Sequence, residues 1–269
     1  MSAPATLELR GLRKTFFPGT VNEVAALAGI DLVVPAGQFV TIIGSNGSGK
    51  STLLNAIAGT FPASGGSVLL DGRDVSRLPE YARSRFIGRV FQDPRAGTAP
   101  SMTIDENLAI SYLRSKRSGL HRGVTKRRRE LMRTQLAPLA MGLECRLGAQ
   151  VNKLSGGQRQ AMSLLMATVA EPSLLMLDEH TAALDPKVAA TIIDMTAAIV
   201  EERRLTTLMV THNMELALRY GDRLVMMHAG RIVLDVDREK KAGLTVADLV
   251  AKFHEVAGEA LAVDRMLLE

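Results

Sequence analysis

Eight residues, Gly44-Ser45-Asn46-Gly47-Ser48-Gly49-Lys50-Ser51, have the types and spacing to hold a chain of phosphates. Glycine lets the backbone curl until successive N–H groups point inward at anionic oxygens. The loop follows an apolar run at 38–43 and opens a helical run from Thr52 to Ala58, so the positive end of a helix dipole adds to those donors. A flexible Gly/Ser turn would share the composition but not this strand–helix setting. Lys50 is expected to reach the β- and γ-phosphates of ATP. Ser51 is expected to offer its hydroxyl to Mg²⁺, an ion that keeps several waters and takes few protein ligands.

A second constellation ends the apolar run 174–177, where Asp178 and Glu179 follow directly. Two carboxylates at the end of a buried strand are costly unless charge partners wait there, and Mg²⁺ and an attacking water are such partners. Asp178 is expected to hold Mg²⁺ through water, and Glu179 to act as general base on the hydrolytic water. Taken alone, the pair fits solvated acids at a strand end equally well, and the phosphate loop upstream tips the balance. A third motif, Leu154-Ser155-Gly156-Gly157-Gln158, stands ahead of a helical run at 159–170. Its serine and glycines therefore occupy a helix N-terminus ready to receive an anion.

These residues need a scaffold that brings strand ends together. Short apolar segments at 38–43, 86–91, 174–177 and 205–211 alternate with segments of helical period, the pattern of an α/β domain with a mostly parallel sheet. In such a sheet, ligands sit at the polar ends of the strands. Residues 68–70 entering Asp71-Gly72, and a hairpin over 224–235 pivoting near Ala229-Gly230, are expected to be antiparallel additions. Across 93–153 the strand signal disappears, and helical patterns at 104–113 and 130–139 suggest an inserted helical subdomain. The tail opens on Thr245-x-x-Asp248, a capping-box pattern. It then places Val246, Leu249, Val250, Phe253, Val256, Ala257 and Leu261 on one face of a docked amphipathic helix over about 245–260.

The pentapeptide 154–158, lying between the phosphate loop and the acidic strand, resembles the signature of the ABC ATPase family, and the likeness runs in order over nearly the whole chain, 7–260. It implies a RecA-like P-loop core with an antiparallel β subdomain and an inserted helical subdomain at about 93–153. It also implies that Ser155, Gly156, Gly157 and Gln158 serve the nucleotide bound by a second copy or a homologous ATPase subunit. Gln92, at the end of the segment 86–91, matches the family's glutamine lid, which touches Mg²⁺ and water. His212, ending 205–211, matches the switch histidine that contacts the γ-phosphate. Phe16, after Lys14-Thr15, matches the aromatic that stacks on adenine, with Phe17 beside it as the alternative and a core position as the bland reading. Asp185 matches the loop that crosses the dimer interface. Two positions depart from the family: His180 stands where proline is frequent and Ala182 where serine is. His180 is expected to be a packing choice, and Ala182 puts cross-dimer hydrogen bonds from that position in doubt.

Composition bounds the alternatives. The chain has 269 residues, 46% hydrophobic and 23% charged, enough for one large folded domain and unlike disordered or fibrous chains. The single cysteine, Cys145, is expected to be a small core hydrophobe. The net charge of +5 gathers in the stretch 114–129, with Lys116, Arg117, Arg122, Lys126, Arg127, Arg128 and Arg129. This is expected to be a solvated helix or loop rather than a nucleic-acid surface, because aromatic rings do not interleave with the charges. No apolar run is long enough to span a bilayer, and Met1 to Thr6 lacks the marks of a signal peptide.

Together these readings imply an ATPase subunit at the cytoplasmic face of the cell membrane. Its expected partners are separate transmembrane permease subunits, engaged around 92–107, and an external substrate-binding protein. The stretches 90–95 and 178–181 resemble ATPases paired with branched-chain-amino-acid-type permeases, which implies import of an amino acid or similar small solute. An exporter ATPase, or a non-transport member such as an iron–sulfur assembly factor, would carry the same motifs.

Overall fold

The computed structural model describes residues 7–114 and 123–266. Met1 to Thr6 and the basic residues Lys116, Arg117 and Arg122 lie outside the described residues. Strand β1 (Leu7–Phe16) alternates buried Leu7 and Leu9 with Glu8 and Arg10, and β2 (Val24–Val34) buries Ile30, Leu32 and Val34 on the same principle. The two form an antiparallel hairpin with one apolar face. The chain then passes through β3 (Phe39–Gly44) and α1 (Lys50–Ala58) before returning as β4 (Gly65–Leu70) and β5 (Arg73–Asp74). These complete a four-stranded antiparallel sheet in the order β2-β1-β4-β5. Leu53, Leu54 and Ile57 of α1 share a core with Leu7, Leu9 and Val68 of that sheet.

A short helix, α2 (Glu80–Arg83), leads into β6 (Ile87–Val90). Next come the helices α3 (Ile104–Leu113), α4 (Lys126–Leu136) and α5 (Gly156–Thr168), followed by β7 (Leu174–Asp178), α6 (Pro186–Arg203), β8 (Thr206–Val210) and α7 (Met214–Arg219). The chain closes with β9 (Arg223–His228), β10 (Arg231–Val236), α8 (Arg238–Ala242) and α9 (Val246–Met266). Six strands form the second sheet in the order β10-β9-β3-β8-β7-β6, parallel throughout except for β10. Every residue of β8 is buried, as a central strand covered on both faces requires.

Each expected strand is present with its ends within three residues, and the fold is the RecA-like one with a separate antiparallel sheet. Several details differ. β9 runs parallel to β3 rather than antiparallel, because α7 carries the chain back to the same end before β9 begins; only β10 is reversed. The helix expected at 130–139 starts earlier, where Thr125 accepts from Arg128 N, and stops at Leu136. Pro138 then allows only a 3-10 turn. Between 93 and 153 the described residues carry helices, and their β-pairing is limited to an isolated bridge, Thr103 to Gln150.

Thr245 and Asp248 form the expected reciprocal cap: Thr245 N donates to Asp248 Oδ2 at 2.8 Å, and Asp248 N donates to Thr245 Oγ1 at 3.2 Å. Of the expected apolar face, Leu249 is buried and Phe253 packs against its cluster, while Val246 and Val250 stay exposed. The contact with α7 and β9 is narrow enough to take one stripe of the helix. Ala257 and Leu261 lie outside the residues whose side chains are described. Cys145 is exposed rather than core, since Leu143 and Leu147 on either side take the buried positions of its turn. Arg114 is likewise not a solvated charge: it is half-buried, and burial pushes its guanidinium pKa down.

Candidate functional site

The loop between β3 and α1 has the shape its glycines require. Gly47 and Gly49 have φ of 81° and 101°, a region that other residues enter only with strain. A Cβ at Gly49 would sit 2.5 Å from Ala26 O, and one at Gly44 would sit 2.5 Å from Met227 O. The loop is thus pressed between β2 and β9. Helix α1 has no side-chain cap at its N-terminus, so the amides of its first turn are left for an anion. Lys50 is buried, and its Nζ donates to Gly44 O at 2.8 Å and Ser45 O at 2.9 Å. Burial lowers its pKa, while the nearby Glu179 and Asp178 carboxylates pull it back up.

A polar cavity of about 630 Å³ opens in front of this loop, lined by Asn46, Gly47, Gly49, Lys50, Ser51, Thr52, Gln92, Glu179 and His212 together with Ala26. Residues far apart in the chain therefore meet on one polar space. Ala26 was not singled out by the sequence. Its strand β2 shows only an alternating apolar pattern, which places a strand but not a pocket wall.

Glu179 follows β7 with φ of 43°, a left-handed conformation unusual outside glycine. Its amide donates to Val210 O at 3.0 Å, which ties the turn to β8. His212 Nδ1 lies 3.3 Å from Glu179 Oε2, with most of the imidazole exposed to the cavity. Asp178 points the other way around the strand end: its Oδ2 lies 3.1 Å from Arg89 Nη2, and both side chains are largely buried. Arg89 is a further residue that sequence reasoning missed, because an ion pair spanning 89 positions leaves no local mark.

Ser51, Gln92 and Asp178 are oxygen donors of the hard type that Mg²⁺ prefers, and the first two face the cavity. This sparse set suits an ion that takes most of its remaining ligands from phosphate and water.

Ser155 caps α5 in a complete capping box. Its Oγ accepts from Gln158 N and its own N–H donates to Gln158 Oε1, each at 3.2 Å. Gly157 packs so closely on α6 that a Cβ would meet Val188 Cγ1 at 2.4 Å, and Gly156 lies beside Leu184. None of residues 155–158 lines the cavity of Lys50. Asp185 caps α6, its carboxylate accepting from Val188 N at 3.1 Å.

Phe16 packs edge-on against Phe61, with ring centroids 5.3 Å apart, and Lys14 Nζ lies 4.9 Å from its centre. Phe17, at φ of 49°, is 66% exposed. His180 is buried, and its Nε2 lies 3.2 Å from Thr196 Oγ1 on α6. The threonine hydroxyl donates in turn to Ile192 O at 2.7 Å, so the imidazole nitrogen is the donor to it. Burial pushes the His180 pKa down to about 4, which fits a packing role.

Known proteins resemble this chain in sequence and fold. The family profile described as "ABC transporter" matches residues 27–182. The tyrosine transport ATP-binding protein of Clostridioides difficile is 45% identical over 92% of this chain and 98% of its own. The lipoprotein-releasing system ATP-binding protein LolD of a Ruegeria species is 35% identical over 85% of this chain and 97% of its own. Among solved structures, the dimeric post-hydrolysis state of an ATP-binding cassette bound to ADP and Pi superposes with a TM-score of 0.74. It is 28% identical and covers 86% of this chain and 98% of that one.

Proposed function

Because this chain belongs to the ABC transporter family as an ATP-hydrolysing subunit, we propose that two copies close around two ATP molecules and so drive an amino acid through separate permease subunits. The observation that carries the reading is the division of the motifs. One chain gathers Lys50, Ser51, Gln92, Glu179 and His212 around a cavity, while Ser155 to Gln158 cap a helix outside it. A chain alone thus holds the phosphates from one side. The helix start at Ser155 supplies donors for the exposed side of a nucleotide bound to a second copy.

In that closed pair, Lys50 exchanges the carbonyls of Gly44 and Ser45 for β- and γ-phosphate oxygens, and Asn46, Ser48 and Thr52 complete the cradle. Bound by Ser51, Gln92 and Asp178, Mg²⁺ would neutralise the charge that builds on the phosphate oxygens. Glu179 takes the proton of the attacking water, with His212 steadying its other oxygen and reaching toward the γ-phosphate. Phe16, or the exposed Phe17 beside it, stacks on adenine. Closing buries the nucleotide as part of the interface, and cleavage removes those contacts, so hydrolysis reopens the dimer.

The permease is engaged by the segment 92–107, beside a cavity of about 280 Å³ lined by Arg89, Phe91, Gly97, Ile110 and Arg114. No described helix is long and apolar enough to cross a membrane, and the chain acts from the cytoplasmic face through that permease. Amino-acid cargo is supported by the similarity to the tyrosine transport protein, and an external binding protein would deliver it. A test is uptake of labelled tyrosine by proteoliposomes holding the chain with its co-purified permease. ATP-dependent uptake that Glu179→Gln abolishes is expected. ATP turnover without uptake of any amino acid would overturn the cargo class, and release of lipoprotein instead would favour the reading suggested by the LolD-like relative.

A further inference from the structure

We propose that Arg89 is a positioning residue for ATP hydrolysis, holding the Asp178 carboxylate in place and linking it to the groove beside α3. The inference rests on the reading that Asp178 serves the metal-binding side of the nucleotide site. Arg89 lies on the edge strand β6, opposite Met176 of β7. Its Nη2 is 3.1 Å from Asp178 Oδ2, with only 12% and 13% of the two side chains exposed. The ring of Phe91, two residues on and therefore on the same face of the extended chain, lies 4.7 Å from the guanidinium carbon.

An arginine here is not explained by packing. Its neighbours Ile87, Gly88 and Val90 are apolar, and burying a fixed cation beside a single carboxylate costs desolvation that such a pair scarcely offsets. Nor is the guanidinium locked in a network: Nε is buried without a hydrogen-bond partner. One ion pair and one ring hold it, a mounting that positions the carboxylate yet yields to a push. The push has a route, because the same side chain lines the 280 Å³ groove with Ile110, Arg114 and Gly97. Three residues further along stands Gln92, which faces the nucleotide cavity. A cation 3.1 Å from Asp178 also draws on the charge that the carboxylate would otherwise present to a metal.

The proposal predicts two separable effects of Arg89→Ala. Steady-state turnover should fall about tenfold with the KM for ATP within about twofold, because the carboxylate is no longer held. Nucleotide binding, measured with a fluorescent ATP analogue in a Glu179→Gln background, should gain more from Mg²⁺ than in the parent. The ratio of affinities with Mg²⁺ and with EDTA should rise about threefold or more as the competing cation is removed. Arg89→Lys should restore part of both values, and it decides the matter together with Arg89→Gln if the alanine variant does not fold. A wild-type turnover and ratio in the variants would overturn the proposal, as would a fall in turnover with an unchanged ratio, which marks a merely structural role. Asp178→Asn separates the parent reading. If its ratio stays at the wild-type value, the assignment of Asp178 fails; if it collapses while Arg89→Ala changes nothing, Arg89 alone fails.

Discussion

At the scale of the residue, Glu179 combines a left-handed backbone, an amide anchored on β8 and a carboxylate 3.3 Å from His212. Glu179→Gln keeps the shape and removes the proposed base, so turnover should fall by about 10²-fold or more while ATP binding, followed by equilibrium titration, is retained. His180 illustrates the opposite case, a buried ring whose Nε2 pairs with Thr196 on α6. Its pKa is pushed down by burial from 6.5 to about 4. The unfolded chain therefore binds a proton that the folded one refuses, and the resulting stability is complete above pH 6.5 and is lost as pH falls toward 4. The loss at pH 5 should be about 2 kcal/mol. Urea unfolding at pH 7 and pH 5 measures it, and His180→Gln should flatten that dependence.

At the scale of the element, α1 is gripped at both ends. Its start is squeezed against β2 at Gly49, where Gly49→Ala should distort the loop and abolish ATP binding in a titration, since the new methyl would meet Ala26 O at 2.5 Å. Its end is capped by a buried arginine: Arg83 donates to Ala56 O and Ile57 O, and also to Leu78 O and Ser76 O. That cation satisfies final carbonyls of the helix and opposes its dipole. Arg83→Ala should cost about 3 kcal/mol in a denaturant titration, because it leaves several buried carbonyls unpaired. The sequence marked α1 by its phosphate loop but gave no hint of Arg83, whose partners are backbone atoms that any residue could have supplied. The same contrast holds across the molecule. Strands such as 174–177 were legible because burial on both faces leaves an unbroken apolar run, and Ser155 with the two glycines that open α5 was legible as a helix start. The direction of β9, the exposure of Cys145 and Val250, and the pairing of Arg89 with Asp178 depend on which distant element arrives beside them. No local period encodes that.

At the scale of the whole molecule, the proposed sharing of the site between two copies is the governing feature. Ser155→Arg should leave ATP binding intact in the monomer yet prevent closure. Sedimentation of the Glu179→Gln chain with ATP should show dimers, and the added Ser155→Arg should show monomers; equal dimerisation would contradict the shared site. The architecture also carries a consequence for biosynthesis. Strand β3, which ends in the phosphate loop, has β8 and β9 as its sheet neighbours, and Gly230 joins Ser48 O to its own N–H at 3.0 Å and Ala28 N to its own O at 2.9 Å. A nascent chain that has delivered the phosphate loop has therefore made β2 but not yet β8 and β9, the strands that flank β3. The nucleotide cradle closes only after Gly230 has left the ribosome, so a stalled or truncated product stops short of being an ATP-consuming fragment.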